Sequence, residues 1–312
     1  MKTELQVIFG TGPLGQAVMR ELLTRQVRIR MINRSGQAPV PEGVEVIAAD
    51  LYDFKNIHAV TQDATVVYQC AQPAYTQWQA LFPKLQASIV QGVAATGTKL
   101  IVADNLYMYG AVKGLLREDL PNAATTRKGR TRAQMAEALL NAHQQGSVRV
   151  AIARGSDFYG PGVLSSAMGD RVFPAILSGK TAAAVGNLDM PHTYTFINDF
   201  GKALVVLGEQ EAALGQIWHV PNAETITTRQ FLTLAFKEAG QPPKMSGMGK
   251  SMTRLAGLFI PEARETVEMM YEFEQPFVVN HNKYVQAFGN HATPSHAAIR
   301  ATLDWYRQHL NL

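Results

Sequence analysis

The sequence predicts a doubly wound α/β fold: a parallel β-sheet covered by helices on both faces, with a smaller C-terminal lobe. Three observations predict it. Short apolar runs alternate with stretches of helical period through the first half of the chain. A glycine-rich turn, Gly10-Thr11-Gly12-Pro13-Leu14-Gly15, separates the first run from the first helical stretch. After Arg154 the alternation stops, and Gly-, Pro- and Met-containing segments such as Gly160-Pro161-Gly162 take over. Strands that alternate with helices imply βαβ crossovers, hence a parallel sheet buried on both faces.

The elements follow in order. Leu5 to Phe9 is an apolar run that stops at glycine, the pattern of a buried strand. Leu14, Ala17, Val18 and Leu22 then recur at helical spacing. Val27 to Ile32, Val44 to Ala48 and Ala64 to Cys70 read as the second, third and fourth strands. Trp78 to Ala95 reads as a long helix, Leu100 to Ala103 as the fifth strand, Ala133 to His143 as a helix and Val148 to Ala153 as the sixth strand. Gln216 to Val220 is a further strand candidate, and helical patterns recur at Thr228 to Ala239, Glu262 to Tyr271 and Ser295 to Leu310. The expected plan is a dinucleotide-binding domain over 1–160, continued by about 193–222, and a substrate lobe over 161–192 and 223–312.

Composition bounds the function classes. Hydrophobic residues are 46% and charged residues 17%, enough apolar content for a large core and against wholesale disorder. The formal charge of +4 comes from basic residues mostly interleaved with acidic ones, so nucleic acid is not an expected partner. No apolar run has membrane-spanning length, and the opening segment lacks the marks of a signal peptide. The single cysteine, Cys70, excludes an internal disulfide, and a cytoplasmic protein is expected. Neither His-Glu-x-x-His nor paired cysteines occur, so no metal site is expected.

The glycine turn carries the first chemical reading. Gly10 permits the tight turn, Gly12 lets the backbone approach a pyrophosphate, and Gly15 lets the helix pack on the strand. The helix N-terminus presents N–H groups and partial positive charge to phosphates. Such a turn between strand and helix marks a Rossmann-type dinucleotide site. Thr11, Pro13 and Leu14 complete it. The second strand ends at Asn33-Arg34-Ser35, without the acidic residue that would bind the adenosine ribose of NAD. Arg34, helped by Ser35, suits the 2′-phosphate of NADP, so NADP is expected over NAD. Asp50 ends the third strand, where it would meet the adenine or cap the helix before Phe54.

Further blocks carry a family resemblance. They are the glycine turn, Ala49-Asp50-Leu51, Asn105-Leu106-Tyr107-Met108-Tyr109-Gly110, Arg154-Gly155-Ser156-Asp157-Phe158-Tyr159-Gly160-Pro161-Gly162, and Thr195-Phe196-Ile197-Asn198-Asp199. In order and spacing the chain resembles the extended short-chain dehydrogenase/reductase superfamily, the group with the NAD-dependent epimerases and dehydratases. The resemblance implies that Leu51, Gln72 and Pro73 line the cofactor cleft. It implies that Gly155, Ser156 and Asp157 lie against the nicotinamide, and that long helices form a homodimer face.

The family's Ser/Thr, Tyr and Lys are replaced. Alignment puts Asn105 at the Ser/Thr position, Lys128 at the tyrosine and Arg132 at the lysine. Hydride transfer to a carbonyl leaves negative charge on oxygen, which must be stabilised and protonated. Arg132 stays charged and cannot donate a proton, but it suits a hydrogen bond to the nicotinamide ribose. Lys128 is an acid only if desolvated; otherwise it is a solvated loop lysine. Asn105, Tyr107 and Tyr109 share a side if the chain stays extended, which makes Tyr107 the substitute acid and Asn105 an oxyanion donor. Tyr107 and Tyr109 are equally readable as packing residues, as are His192, Tyr194 and Tyr159. Asp199 reads as a helix cap. The cations Arg127, Lys128, Arg130 and Arg132 suggest an anionic small-molecule substrate or a solvated loop. An atypical oxidoreductase acting on a small carbonyl or alcohol is the leading expectation. A nucleotide-sugar epimerase or dehydratase and a non-catalytic NADP sensor are its alternatives.

Overall fold

The computed structural model describes residues 4–259 and 261–310. Seven strands form one sheet: β1 (Leu5–Phe9), β2 (Arg28–Asn33), β3 (Val44–Ala48), β4 (Ala64–Gln69), β5 (Lys99–Asp104), β6 (Arg149–Arg154) and β7 (Ile217–His219). Their spatial order is β7-β6-β5-β4-β1-β2-β3. The pairings of β1 with β2 and β4, of β2 with β3, and of β5 with β4 and β6 are all parallel. The order reverses between β1 and β4, the switch point where such sheets bind ligands beyond the carboxyl ends of their strands.

Every residue of β1 is buried, as a central strand covered on both faces requires. On one face lie α2 (Phe54–Thr61), α3 (Trp78–Ala94) and α4 (Arg127–Gln144). There Val7, Val67 and Leu100 of the sheet pack with Ile57, Ile89 and Leu139 of the helices. On the other face α1 (Pro13–Leu22) and α5 (Ile197–Glu209) approach so closely that a Cβ on Gly201 would lie 2.7 Å from Ala17. The Tyr68 hydroxyl there donates to Gln6 Oε1 at 2.7 Å, and burial pushes that phenol far above its ordinary range.

The chain divides into two compact units. The first comprises 1–108, 128–154 and 200–218; the second comprises 109–127, 155–199 and 219–312. The second unit has its own core, in which Phe173, Phe231, Phe236, Ile299 and Leu303 pack together. Short strand pairs stitch it: Phe158–Tyr159 with Thr195–Phe196, Pro191–His192 with Ile226–Thr227, and Ala182–Val185 with Met245–Met248. The Tyr306 hydroxyl donates to Val163 O at 2.7 Å within it. Among the described residues no helix is long and apolar enough to cross a membrane.

Three elements differ from the sequence reading. Helix α4 starts at Arg127, six residues before the expected Ala133. Its early buried face is Lys128, Thr131 and Arg132, polar positions that hydrophobic periodicity does not register. The stretch from Glu262 to Tyr271 is not one helix but Pro261–Thr266, a short 3₁₀ turn at Val267–Met269, and Tyr271–Glu274. Asp199 lies in the first turn of α5, where its carboxylate accepts from the Thr293 N–H at 2.8 Å and hydroxyl at 2.7 Å.

Candidate functional site

The glycine turn leaves β1 at the switch point. Gly10 has φ +98°, a left-handed conformation that favours glycine, and a Cβ there would lie 2.9 Å from Ala71 N. A Cβ on Gly15 would lie 2.0 Å from Gly10 O, so only glycine lets α1 fold onto the turn. Gly12 is different: φ is −72° and nothing lies within 4 Å of the added atom. Its missing side chain leaves open space above the N-terminus of α1. That terminus has Pro13 at its start, no acidic residue in its first turn and no side-chain cap. This is a cradle for an anionic group, and the residues fit a dinucleotide pyrophosphate.

The loop after β2 is built on Asn33. Its amide donates to Thr11 Oγ1 at 2.9 Å and to Gln37 O at 2.8 Å. Its Oδ1 accepts from Ser35 N at 3.0 Å and Gly36 N at 2.7 Å. Asn33 therefore ties this loop to the glycine turn, and it holds Arg34 and Ser35 exposed at the tip. Asp50 is exposed and accepts from Tyr52 N at 2.9 Å; the cap of α2 is Asp53, which accepts from Lys55 N. Leu51 belongs to the apolar core. Beyond β4, Gln72 is exposed and Pro73 O accepts from the Trp78 indole at 3.2 Å.

The carboxyl end of β5 does not stay extended. Asn105 Oδ1 accepts from Tyr107 N at 3.2 Å, and Tyr107–Tyr109 turns into a 3₁₀ helix. The shared side expected of Asn105, Tyr107 and Tyr109 is thereby lost, because it required an extended chain. Tyr107 instead meets Tyr75, whose hydroxyl donates to its own at 3.5 Å, and the Trp78 ring at 6.0 Å. Lys128 is not a solvated loop residue. It is 3% exposed in the first turn of α4, with Nζ 4.5 Å from the centre of the Tyr75 ring. The fold thus gathers Asn105, Tyr107 and Lys128 and adds Tyr75. Sequence reading passed over Tyr75; its only signal was an aromatic residue beside the expected cleft residues Gln72 and Pro73.

Arg132 lies next to this group but is committed elsewhere. Its Nε donates to Asp104 Oδ1 at 2.8 Å, its Nη2 bonds the same oxygen, and the guanidinium stacks 4.4 Å over Phe82. Arg154 donates to the other oxygen of Asp104 at 3.2 Å. Asp104 and Arg154 are register partners at the ends of β5 and β6, so adjacent strands bring the pair together. Asp104 was not foreseen, although an aspartate closing the apolar run Leu100–Ala103 was the available signal. The basic cluster is likewise divided among separate tasks. Arg127 pairs with Glu265 at 3.4 Å and Glu268 at 3.7 Å, while Arg130 is exposed.

A family model for the NAD dependent epimerase/dehydratase family matches residues 7–220, which include the glycine turn, Lys128 and Arg132. The chain belongs to this family. It is a family of NAD-dependent enzymes. Similar folds recur among solved structures. The dTDP-glucose 4,6-dehydratase of Bacillus anthracis, in complex with NAD, has TM-score 0.80 at 13% identity, covering 99% of this chain and 98% of that one. The UDP-glucuronic acid 4-epimerase of Bacillus cereus, with UDP-glucuronic acid and NAD, has TM-score 0.78 at 16% identity, covering 98% and 99%. The UDP-glucose 4-epimerase of Thermotoga maritima, with UDP-glucose, has TM-score 0.79 at 12% identity, covering 98% and 99%. At these identities the likeness concerns the fold. No curated protein matched the sequence.

The second unit holds the residues that follow β6. Ser156 is occupied: its N–H donates to Thr195 Oγ1 at 2.9 Å and its hydroxyl to Thr193 O at 2.6 Å. Asp157 Oδ2 lies 2.9 Å from His192 Nε2. His192 is 2% exposed and stacks with Phe273 and Phe277 at ring separations of 5.1 Å. Tyr194 and Tyr159 are core aromatics, and burial pushes both phenols far up. The Tyr194 hydroxyl is hydrogen-bonded with Thr228 at 2.8 Å, a packing role.

Proposed function

We propose that this chain is an NADP-dependent oxidoreductase of an atypical short-chain type, acting on a small carbonyl or alcohol. One observation carries the cofactor half of the reading. The open space over Gly12 faces an uncapped helix N-terminus, and the neighbouring loop tip presents Arg34 and Ser35 with no carboxylate between Asn33 and Gly36. Arg34 and Ser35 would hold a 2′-phosphate, Asn33 would keep that loop against the turn, and Asp50 would face the adenine side. Bound there, the cofactor supplies or accepts a hydride.

The chain's own residues handle the proton and the charge. Tyr107, whose hydroxyl lies 3.5 Å from that of Tyr75, would be the residue that gives a proton to a substrate oxygen. Asn105 uses its Oδ1 on Tyr107 N and keeps its amide N–H₂ as the oxyanion donor. Lys128, its Nζ over the Tyr75 ring, would supply positive charge to this group. Arg132 is assigned to the frame through Asp104 rather than to the nicotinamide ribose. A cytoplasmic homodimer is part of the same reading.

The second reading, a nucleotide-sugar epimerase or dehydratase, is favoured by the ligands named for the similar structures, UDP-glucuronic acid and UDP-glucose. A single experiment separates the readings. The purified protein is titrated with NADP(H) and NAD(H), then offered aldehydes, ketones and nucleotide sugars while cofactor absorbance and product are followed. Net oxidation of NADPH by a carbonyl, lost in Tyr107→Phe, supports the first reading. Conversion of a nucleotide sugar without net cofactor change supports the second. Tight binding with no turnover of any substrate points to a sensor.

A further inference from the structure

In the second unit, one short helix turns its large apolar side chains outward. Met252 and Leu255 lie three apart in the helix Lys250–Ala256, and Leu258 and Phe259 follow it. Such spacing ordinarily marks the side of a helix that enters a core. Here the buried side is Thr253, 4% exposed, and Gly257. A Cβ on Gly257 would lie 2.8 Å from Arg264 Cα, so this glycine lets the next helix, Pro261–Thr266, fold back against the first. The turn between them carries Leu258 and Phe259 at its tip. Among the described residues, Met252, Leu255, Leu258 and Phe259 are the four most exposed large apolar side chains, at 59%, 63%, 74% and 83%. Monomers rarely present such a contiguous patch unless something covers it.

The charges around the patch say what covers it. From Ala239 to Arg264 the chain has the cations Lys244, Lys250, Arg254 and Arg264 and a single acid, Glu262. Lys250, Arg254 and Arg264 are exposed on the same two helices as the apolar residues. The next acids along the chain, Glu265 and Glu268, are engaged with Arg127 at 3.4 and 3.7 Å. A second copy paired on this face by a two-fold axis would bring the same cations together, which opposes association. An anionic lipid surface complements both features. Apolar side chains enter the boundary between headgroups and acyl chains, and lysine and arginine meet the anionic headgroups. The helix Lys250–Ala256 has seven residues, far short of the roughly 20 needed to span a bilayer, so the contact lies on the surface.

We propose that the segment from Lys250 to Arg264 docks the protein on an anionic lipid surface. Leu258 and Phe259 enter first, Met252 and Leu255 follow along the helix, and Lys250, Arg254 and Arg264 hold the headgroups. Attachment is peripheral and weakened by salt, because part of it is attraction between exposed charges. The inference is independent of the cofactor reading.

The test is flotation of the full chain with two kinds of vesicle, phosphatidylcholine alone and an equal mixture of phosphatidylcholine and phosphatidylglycerol. The native chain is expected to partition onto the mixed vesicles about tenfold or more better than onto the neutral ones, and to be released by added salt. Two double variants separate the contributions. Leu258→Ser with Phe259→Ser removes the apolar tip, and Lys250→Glu with Arg254→Glu reverses two charges. All four side chains are exposed, so both variants should keep the native melting temperature, and each should lose about tenfold or more in binding to the mixed vesicles. No binding of the native chain to mixed vesicles overturns the proposal, as does native-like binding by both variants. Equal binding to the two kinds of vesicle overturns the anionic surface. Self-association of the native chain that Leu258→Ser with Phe259→Ser abolishes, without vesicle binding, assigns the face to a second copy and also overturns it. The two vesicle types and the salt response use the native chain alone, so they decide the matter even if a variant fails to fold.

Discussion

The ends of β1 and β5 lie in the same parallel sheet and have been treated differently. At the end of β1, Gly10 and Gly15 have no room for a Cβ and Gly12 opens onto free space at the N-terminus of α1. At the end of β5, Asn105 is flanked by Asp104, Arg132 and Arg154 on one side and by Tyr75, Tyr107 and Lys128 on the other. In the proposed function, the cofactor would be held by backbone and by missing side chains, and the proton would be handled by side chains that meet only in the folded chain. One function can therefore be retained while the other is rebuilt.

The comparison breaks most visibly at Asp104. Asp104→Asn leaves two arginines, 4% and 1% exposed, without their carboxylate. Removing one partner of a buried ion pair costs about 3–5 kcal/mol, so denaturant unfolding should show a loss of that size. A loss under about 1 kcal/mol would mean that water reaches the pair and that the frame is built otherwise. The glycine turn offers an internal contrast. Gly15→Ala forces a Cβ toward Gly10 O and should lower the melting temperature by several degrees, whereas the open space at Gly12 should leave Gly12→Ala as stable as the native chain.

Smaller effects sharpen the two halves separately. Arg34→Ala should weaken NADPH by about tenfold or more while leaving NADH unchanged, because a charge-assisted phosphate contact contributes about 1.5–3 kcal/mol. Equal losses for both would remove Arg34 from the 2′-phosphate. Lys128→Met should lower turnover at fixed pH more than it lowers cofactor affinity. A fall confined to affinity would assign Lys128 to the cofactor instead of the phenols.

Most of the fold was legible in the sequence because the sheet is central. Buried strands such as Leu5–Phe9 read as unbroken apolar runs, and the glycine spacing fixed the first crossover. The start of α4 was not legible, because its buried face begins with Lys128, Thr131 and Arg132. Their burial depends on Tyr75, Phe82 and Asp104, which lie at least 24 residues away and leave no local period. Tyr75 and Asp104 went unread for the same reason. Arg34 is exposed, and its proposed part in cofactor binding was readable from its strand-end position alone. His192 was foreseen as a residue and not as a partner of Asp157, since ring stacking between Phe273 and Phe277 is a tertiary fact.

The most direct test is calorimetric titration of NADPH into the native chain and Gly12→Ala, with thermal unfolding of both. The native chain is expected to bind NADPH more tightly than NADH. Gly12→Ala is expected to melt at the same temperature and to lose at least tenfold in affinity, because its methyl group would occupy the proposed place of the pyrophosphate. Native-like binding by Gly12→Ala, or no binding of either cofactor by the native chain, would contradict this reading.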